Sequence, residues 1–424
     1  MIENPYNPFS ITNPRIVAKE KLLEQTLDLT RNRNNILLEY STGSGKSNNA
    51  IQIHSQKASG KKVLLVVAEI LHYEVWREEY TKFGHQSLLK DVKMICYQSL
   101  SKEEGVFYDM IIFDEIHHGL NTEGRINSLK NVKSVFNIFL SATLTQGQKE
   151  TLKTVFPNTT FLKYTLKDAL EKGAINDYKI VFLECDVNNG LTYYIYKNKN
   201  KLKKGGTYEE LEFKDRYKRT SIPSKIKCTA SEYIQYYVER AKQARKRMGF
   251  SESETKWFLM ARLNLKNALA EVKTHDAGRL LKCLEFQNKR FICFTNTIDN
   301  VEKFSKEHGI HSKKSAKVNL QIFNDFQDKK INSLYVVNKL TEGMNPNDVN
   351  IGVITQLDNT LRIYEQKTGR IFRGESPVIY VLYLKDTLDE SYIQNVTENI
   401  DFELIEFSTV KKFLNDNKKY DKNK

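Results

Sequence analysis

The chain has 424 residues, 40% of them hydrophobic and 28% charged, the balance of a soluble globular protein with room for two or three cores. No apolar run approaches the roughly 18 residues of a membrane span, and the opening MIENPYNPFSITNP lacks the basic and apolar stretches of a signal peptide. The five scattered cysteines (96, 185, 228, 283 and 293) include no C-x-x-C. They argue against a disulfide framework or a structural metal, and for reduced thiols in a cytoplasmic protein with no membrane partner. The formal charge of +14 points to a polyanionic partner.

In chain order, apolar runs predict strands at 36–39, 63–68, 93–97, 110–113, 136–140 and 160–163. Most are continuous and not alternating, as expected of parallel strands covered on both faces. An amphipathic stretch at 164–178 predicts a short helix with Gly173 as its C-cap. A polar region follows, whose turn KKGGT (203–207) predicts a β-hairpin. Helices are expected over about 230–247 and 254–287, and strands resume at 290–294, 333–337, 351–355 and 377–383. Strands alternating with helices in two groups predict an α/β protein with two doubly wound parallel sheets. The middle is unusual in charge: residues 191–250 carry sixteen Lys/Arg against six Asp/Glu, interleaved with tyrosines.

Four short stretches carry chemistry. After the first strand, STGSGKS (41–47) offers Gly43 and Gly45, which let backbone N–H groups converge on one point, at the start of a helix whose dipole favours an anion there. Lys46 can reach phosphate oxygens and the Ser47 hydroxyl suits Mg²⁺. The full phosphate-loop pattern wants glycine where this chain has Tyr40. The strand at 110–113 runs into Asp114-Glu115-Ile116-His117-His118. At the carboxyl end of a parallel strand, such a pair can hold a cation and polarise a water. The strand at 136–140 ends in Ser141-Ala142-Thr143, small hydroxyl residues beside that pair. Far downstream, Gln366, Arg370 and Arg373 share one face of a predicted helix, an arrangement suited to a phosphoryl-transfer transition state.

In this order the stretches resemble the superfamily 2 helicases. STGSGKS is similar to motif I, DEIHH to motif II of the DExH type, SAT to motif III and QKTGRIFR (366–373) to motif VI. VLLVVAEILHYEVWREEY (63–80) resembles motif Ia and CYQSL (96–100) the nucleic-acid-contact motif after it. RFICFTNTIDNVEKF (290–304) resembles motif IV and VVNKLTEGMNPNDVNIGVI (336–354) motif V. Within the superfamily, size and motif V are similar to bacteriophage recombination helicases of the UvsW type and to the motor subunits of type III restriction enzymes. In the superfamily, motif I commonly lacks its first glycine, which removes the objection of Tyr40. The glutamine that usually precedes motif I and reads adenine has only Gln25 as a candidate, so adenine selectivity stays open.

The resemblance implies two tandem RecA-like domains with ATP and Mg²⁺ between them: 1–163 as the first, 164–178 a linker helix, 179–287 a basic, tyrosine-rich hairpin and helical insertion, and 288–424 the second. It implies ATP binding by Thr42, Gly43, Ser44, Gly45, Lys46, Ser47 and Gly343, and Mg²⁺ held by Ser47 and Asp114. Catalysis would fall to Lys46, Glu115, Gln366, Arg370 and Arg373, and coupling to His117, Ser141 and Thr143. Nucleic acid would meet Tyr97, Gln98, Ser99, Thr295, Asn296 and Thr341. Arg245, Lys246 and Arg247 form the densest group of phosphate-binding cations in the accessory region. The activity expected is a DNA-dependent ATPase that unwinds or branch-migrates DNA, in the host cytoplasm if phage-encoded. A double-strand translocase, an RNA helicase and an ATP-gated clamp are the alternatives. Oligomeric state stays open, with a monomer compatible.

Overall fold

The computed structural model describes residues 13–70, 72–202, 207–217, 222–337, 346, 348–357, 376–398, 400 and 402–417. Thr341, Gly343, Gln366, Arg370, Arg373 and most of the KKGGT turn lie outside the described residues.

The first unit opens with α1 (Pro14–Thr30), where Asn13 accepts the N–H of Arg15 and Pro14 supplies a pre-set first turn. Then come β1 (Asn35–Tyr40), α2 (Lys46–Ala58), β2 (Val63–Val67), α3 (His72–Lys82), β3 (Val92–Cys96) and β4 (Phe107–Phe113). The unit continues through α4 (Glu123–Asn131), β5 (Lys133–Ser141), α5 (Gln146–Val155) and β6 (Thr160–Tyr164). The six strands form one all-parallel sheet in the order β3-β2-β4-β5-β1-β6. All five residues of β2 are buried, which is why its sequence shows no alternation. The order places β4, β5 and β1 side by side, so the three strands that end in the predicted motifs II, III and I open onto one edge.

The expected linker helix is α6 (Leu166–Glu171), capped by a reciprocal Thr165–Asp168 box, with Gly173 at φ +70° just beyond it. Leu166, Ala169, Ala174, Ile175 and Tyr178 are buried in a core that reaches from the first sheet to the second, so this segment is packed and not a loose tether.

After it come β7 (Lys179–Glu184), β8 (Tyr193–Lys197), β9 (Glu209–Glu212), β10 (Ser224–Cys228), α7 (Ala230–Arg247) and α8 (Glu252–Phe286). Two of these elements correct the sequence reading. The predicted hairpin across 203–207 does not form: β8 and β9 are separated by β10, antiparallel to β8 and parallel to β9. Ser224, Ile226 and Cys228 alternate with Lys225 and Lys227, and the fully buried Ile226 draws Ile195 and Leu211 from the strands on either side. Secondly, β7, expected within the insertion, pairs in parallel with a strand near the C-terminus, from Lys179 opposite Val378 to Glu184 opposite Tyr383.

The remaining elements are β11 (Phe291–Thr295), α9 (Ile298–Phe304), β12 (Gly309–Ile310), α10 (Ala316–Gln327), β13 (Ser333–Val337), β14 (Ile351–Ile354), β15 (Val378–Tyr383), α11 (Leu388–Thr397), β16 (Ile405–Thr409) and α12 (Val410–Asp416). They complete a second parallel sheet ordered β12-β13-β11-β14-β15-β7-β16. Helix α8, roughly 50 Å long at 1.5 Å per residue, ties the two parts together. Its first half lies against α7, and one apolar face of its second half, from Leu265 and Leu269 to Leu280 and Leu284, is buried in a core shared with the second sheet. There Lys273 donates to Asp389 at 2.7 Å and to the carbonyl of Leu382, while Asp389 also accepts from Gln356 and Leu384 N–H. Both charges are fully buried, and the added hydrogen bonds are what such a pair requires. Among the described residues no helix is long and apolar enough to cross a membrane.

Candidate active site and nucleic-acid interface

The phosphate-type loop leaves β1 and enters α2 through two left-handed glycines, Gly43 at φ +86° and Gly45 at φ +100°. A side chain at Gly45 would meet no atom within 4 Å, so the backbone conformation, not space, demands glycine there. Ser44 closes the turn by donating its hydroxyl to the Ser41 carbonyl at 2.6 Å. Thr42 and Ser47 are half-buried along the same turn. Lys46 donates to the Tyr40 carbonyl at 2.7 Å, which folds its chain back over the loop. Tyr40 itself points away into the core, its hydroxyl 2.7 Å from Thr26 Oγ1 and its ring edge-on to Tyr164. Burial pushes its pKa up to about 12. The missing glycine therefore leaves the loop free of obstruction.

The acidic pair stands at the end of β4. Asp114 donates its N–H to the Val66 carbonyl, and its Oδ2 accepts from Trp76 Nε1 at 2.9 Å. Glu115 takes a left-handed backbone, φ +48°, a conformation costly for a non-glycine residue and common where a side chain must be aimed. Burial, then the neighbouring Glu115 charge, pushes the Asp114 carboxyl up, against the pull of His72, Trp76 and Lys46. Burial acts the same way on Glu115 but is outweighed by His117, Lys46 and His118, which hold its carboxyl down at about 2. His117 Nδ1 lies 3.3 Å from Glu115 Oε2, and the His117 and His118 rings pack with centroids 4.2 Å apart. The Glu115 carboxylate, close enough to feel the Lys46 charge of loop 41–47, is thus kept ionised by its own surroundings.

On β5, between the two, Ser141 is fully buried and donates to the Thr143 carbonyl at 3.1 Å. The buried Thr143 hydroxyl has no partner among the described residues. A residue not anticipated from sequence fixes this loop. Glu39, on β1 opposite Ser141, accepts from Leu144 N–H at 3.0 Å and pairs with Lys149 of α5 at 2.7 Å. The strand that leads into the phosphate-type loop is thereby tied to the SAT loop. Trp76 and His72 were also missed as site residues, although His72, Trp76 and Tyr80 recur every four residues along one face of α3. That spacing was the available signal. Behind them, Tyr80 hydrogen-bonds to His54 of α2 at 2.8 Å, so α3 joins the loop helix to Asp114.

The residues expected to meet nucleic acid separate into two kinds. Tyr97 is buried and donates its hydroxyl to the Asp114 carbonyl at 2.9 Å. Thr295 is buried too, donating to the carbonyls of Thr297 and Val336. Neither side chain is at the surface; each sits where its strand end turns, and its hydroxyl satisfies backbone carbonyls there. Gln98 is exposed, Ser99 and Asn296 are half-buried, and Asn296 bonds to Asn267 of α8. Arg245, Lys246 and Arg247 are all exposed on the last turn of α7, where cations also favour the helix dipole. Gln25 is exposed on α1.

The donor set at the edge is oxygen-rich and hard: the Ser47 hydroxyl and the Asp114 carboxylate, with Glu115 adjacent. That chemistry fits a magnesium ion accompanying a nucleotide.

Two family models match the chain, one described as the type III restriction enzyme res subunit over residues 12–146 and one as the helicase conserved C-terminal domain over residues 273–375. Among curated proteins, a subunit of the type I restriction enzyme EcoAI endonuclease of Escherichia coli is 25% identical over 209 residues, which cover 43% of this chain and 26% of that protein. The chain therefore spans about a quarter of the curated relative it matches. Among solved structures, S. cerevisiae Dbp5 bound to RNA and ADP BeF3 aligns with a TM-score of 0.58 at 12% identity, covering 97% of each chain. At that identity the likeness is one of fold.

Proposed function

Because this chain belongs to the superfamily 2 helicases, nucleic-acid-stimulated ATPases, we propose that it is a DNA-dependent motor that unwinds or branch-migrates DNA. The observation that carries the reading is the meeting of loop 41–47, the Asp114–Glu115 pair and the Ser141–Thr143 loop at the carboxyl ends of three adjacent strands. Backbone N–H groups of Thr42 to Ser47 and the N-terminus of α2 bind the triphosphate, and Lys46 turns from the Tyr40 carbonyl to its β- and γ-phosphates. Ser47 and Asp114 would hold a magnesium ion, which would supply neutralising charge to the phosphate oxygens. Glu115 takes the proton of the attacking water, its carboxylate kept ready by His117 and Lys46. His117, Ser141 and Thr143 pass the state of that edge to the nucleic-acid side. Gly343, Gln366, Arg370 and Arg373 of the second domain complete the site on closure, the arginines stabilising the transferring phosphoryl group.

The likeness to two restriction-enzyme subunits favours DNA over RNA, and it favours double-strand translocation as the second reading. Gln98, Ser99, Asn296 and Thr341 contribute to the strand path, and residues 191–250 add an accessory grip through Arg245, Lys246 and Arg247. The test is ATP hydrolysis measured with single-stranded DNA, duplex, forked DNA and RNA, alongside strand-displacement and triplex-displacement assays. Stimulation by DNA with strand displacement supports the proposal; triplex displacement alone supports the second reading. Stimulation by RNA alone, or by no nucleic acid, overturns both.

A further inference from the structure

The ATP-side edge leaves one large feature of the molecule unused. Between β8, α7 and α8 lies a cavity of about 820 Å³, with Lys303 of α9 at its rim. That volume is typical of sites for small molecules. Its lining is aromatic and cationic. Tyr193 and Tyr236 are buried and belong to the core, whereas Tyr194, Tyr233 and Tyr237 are half-buried and Tyr196 is 40% exposed. The rings already attract cations: the Lys225 ammonium sits 3.8 Å from the Tyr194 centroid and Lys199 4.7 Å from that of Tyr196. Exposed Arg240 donates to the Tyr236 hydroxyl at 3.0 Å and so is held at the mouth. Glu271, the one carboxylate among the described lining residues, is paired with Lys303.

A ligand that suits this lining has a flat ring for the tyrosines and negative charge for Lys199 and Arg240. An uncharged apolar molecule would strand the cations and hydroxyls, and a sugar alone would use neither the ring faces nor the charge. We propose that the cavity is a second nucleotide-binding site, distinct from the ATP edge, which takes one nucleotide unit with its base on Tyr196, the most exposed of the lining rings, and its phosphate on Lys199 and Arg240. The proposal deepens the accessory-grip reading of residues 191–250 and rests on it. Two sources share the chemistry, a nucleotide within a single strand and a free mononucleotide. Because Lys303 belongs to α9, the helix that follows β11 and packs on the second sheet, a filled cavity also touches an element of the second domain.

The test uses the full chain carrying Lys46→Ala, so that the ATP edge contributes little to nucleotide binding. Binding of a labelled oligothymidylate and of thymidine monophosphate is measured for that parent and with Tyr196→Ala, Tyr196→Phe or Arg240→Ala added. Loss of a stacking ring is expected to weaken binding roughly tenfold. Tyr196→Ala and Arg240→Ala should both lose affinity, while Tyr196→Phe stays near the parent. Loss confined to the oligonucleotide assigns the site to a strand, and loss of the monophosphate assigns it to a free nucleotide. Equal affinities of all four proteins for both ligands overturn the proposal. As a check independent of any substitution, a 4-thiothymidine oligonucleotide is photocrosslinked to the unaltered chain. Adducts within 191–199 or 233–240 are expected, and adducts only elsewhere overturn a strand site. A chain whose ATP hydrolysis no nucleic acid stimulates would sink the motor reading, yet monophosphate binding would still decide this one.

Discussion

The carboxyl edge of the first sheet and the tyrosine-rich module hold their polar groups in opposite ways. At the edge, Asp114 is gripped by Trp76, Glu115 lies beside His117, and Glu39 is locked to Leu144 and Lys149. In the module, Arg245, Lys246 and Arg247 project from an exposed helix end, and Lys199 and Arg240 stand at the mouth of an open cavity. Chemistry on a phosphate needs groups fixed before the substrate arrives, because preorganised charges spend nothing on reorienting. A grip on a flexible polyanion needs cations that water and counterions can leave. The module has a small aromatic core with its charge outside, the arrangement the proposed grip requires, whereas the edge buries its charges among partners.

The comparison predicts where substitutions hurt most. The largest loss should come from completing groups outside the first sheet. Arg370→Ala and Arg373→Ala are expected to lower single-turnover hydrolysis at saturating ATP and DNA by roughly 10³–10⁵, with binding of both ligands retained. Lysine should not rescue either, since an ammonium lacks the planar fork. Rates near that of the unaltered chain for both variants would mean that the edge needs no second domain.

Next comes Glu115→Gln, which keeps size but removes the proton acceptor. Hydrolysis should fall by about 10²–10⁴ while ATP still binds, as filter-binding with labelled ATP would read. Weak ATP binding in this variant would instead make Glu115 a structural anchor for the loop.

A third test addresses the packing behind the edge. Burial holds His54 neutral down to about 4 in the fold, against 6.5 as the ordinary value, with His85 pulling the same way and Asp91 the other. As pH falls, the unfolded chain takes up this proton first. Stability is therefore lost between pH 6.5 and 4, by about 3 kcal/mol, and the loss levels off below that. His54→Gln should flatten this part of the curve in urea titrations at successive pH values. An unaltered acid limb in the variant would assign the loss to other groups.

The smallest effect belongs to the module. Replacing Arg245, Lys246 and Arg247 by alanine should reduce the log–log salt slope of DNA binding by roughly 0.7–0.9 for each phosphate these side chains neutralise, with thermal stability hardly changed. An unchanged slope with the fold intact would return these residues to an ordinary solvated helix end.

Sequence alone determined a good deal. Ten strands and the long helices were legible because parallel strands are apolar throughout and helices repeat their pattern along the chain, both properties of neighbouring residues. The loop 41–47 and the 114–118 turn were legible for the same reason: a phosphate cradle and a strand-end carboxylate pair are each made by one contiguous stretch. What the tertiary structure alone decided involves partners distant in the chain. Lys179–Glu184 joins the second sheet because Val378–Tyr383 offers it an edge, and Ser224–Cys228 comes between the two strands that flank the KKGGT turn. Tyr97 and Thr295 carry the residue types of surface contacts yet lie buried, each satisfying backbone carbonyls at a turn. Glu39, on a strand that reads as plain core, becomes the tie between two loops only because Ser141 is its neighbour in the sheet. Composition and spacing report which groups a chain has; which of them face each other depends on strand order, and the packing that sets strand order is not local.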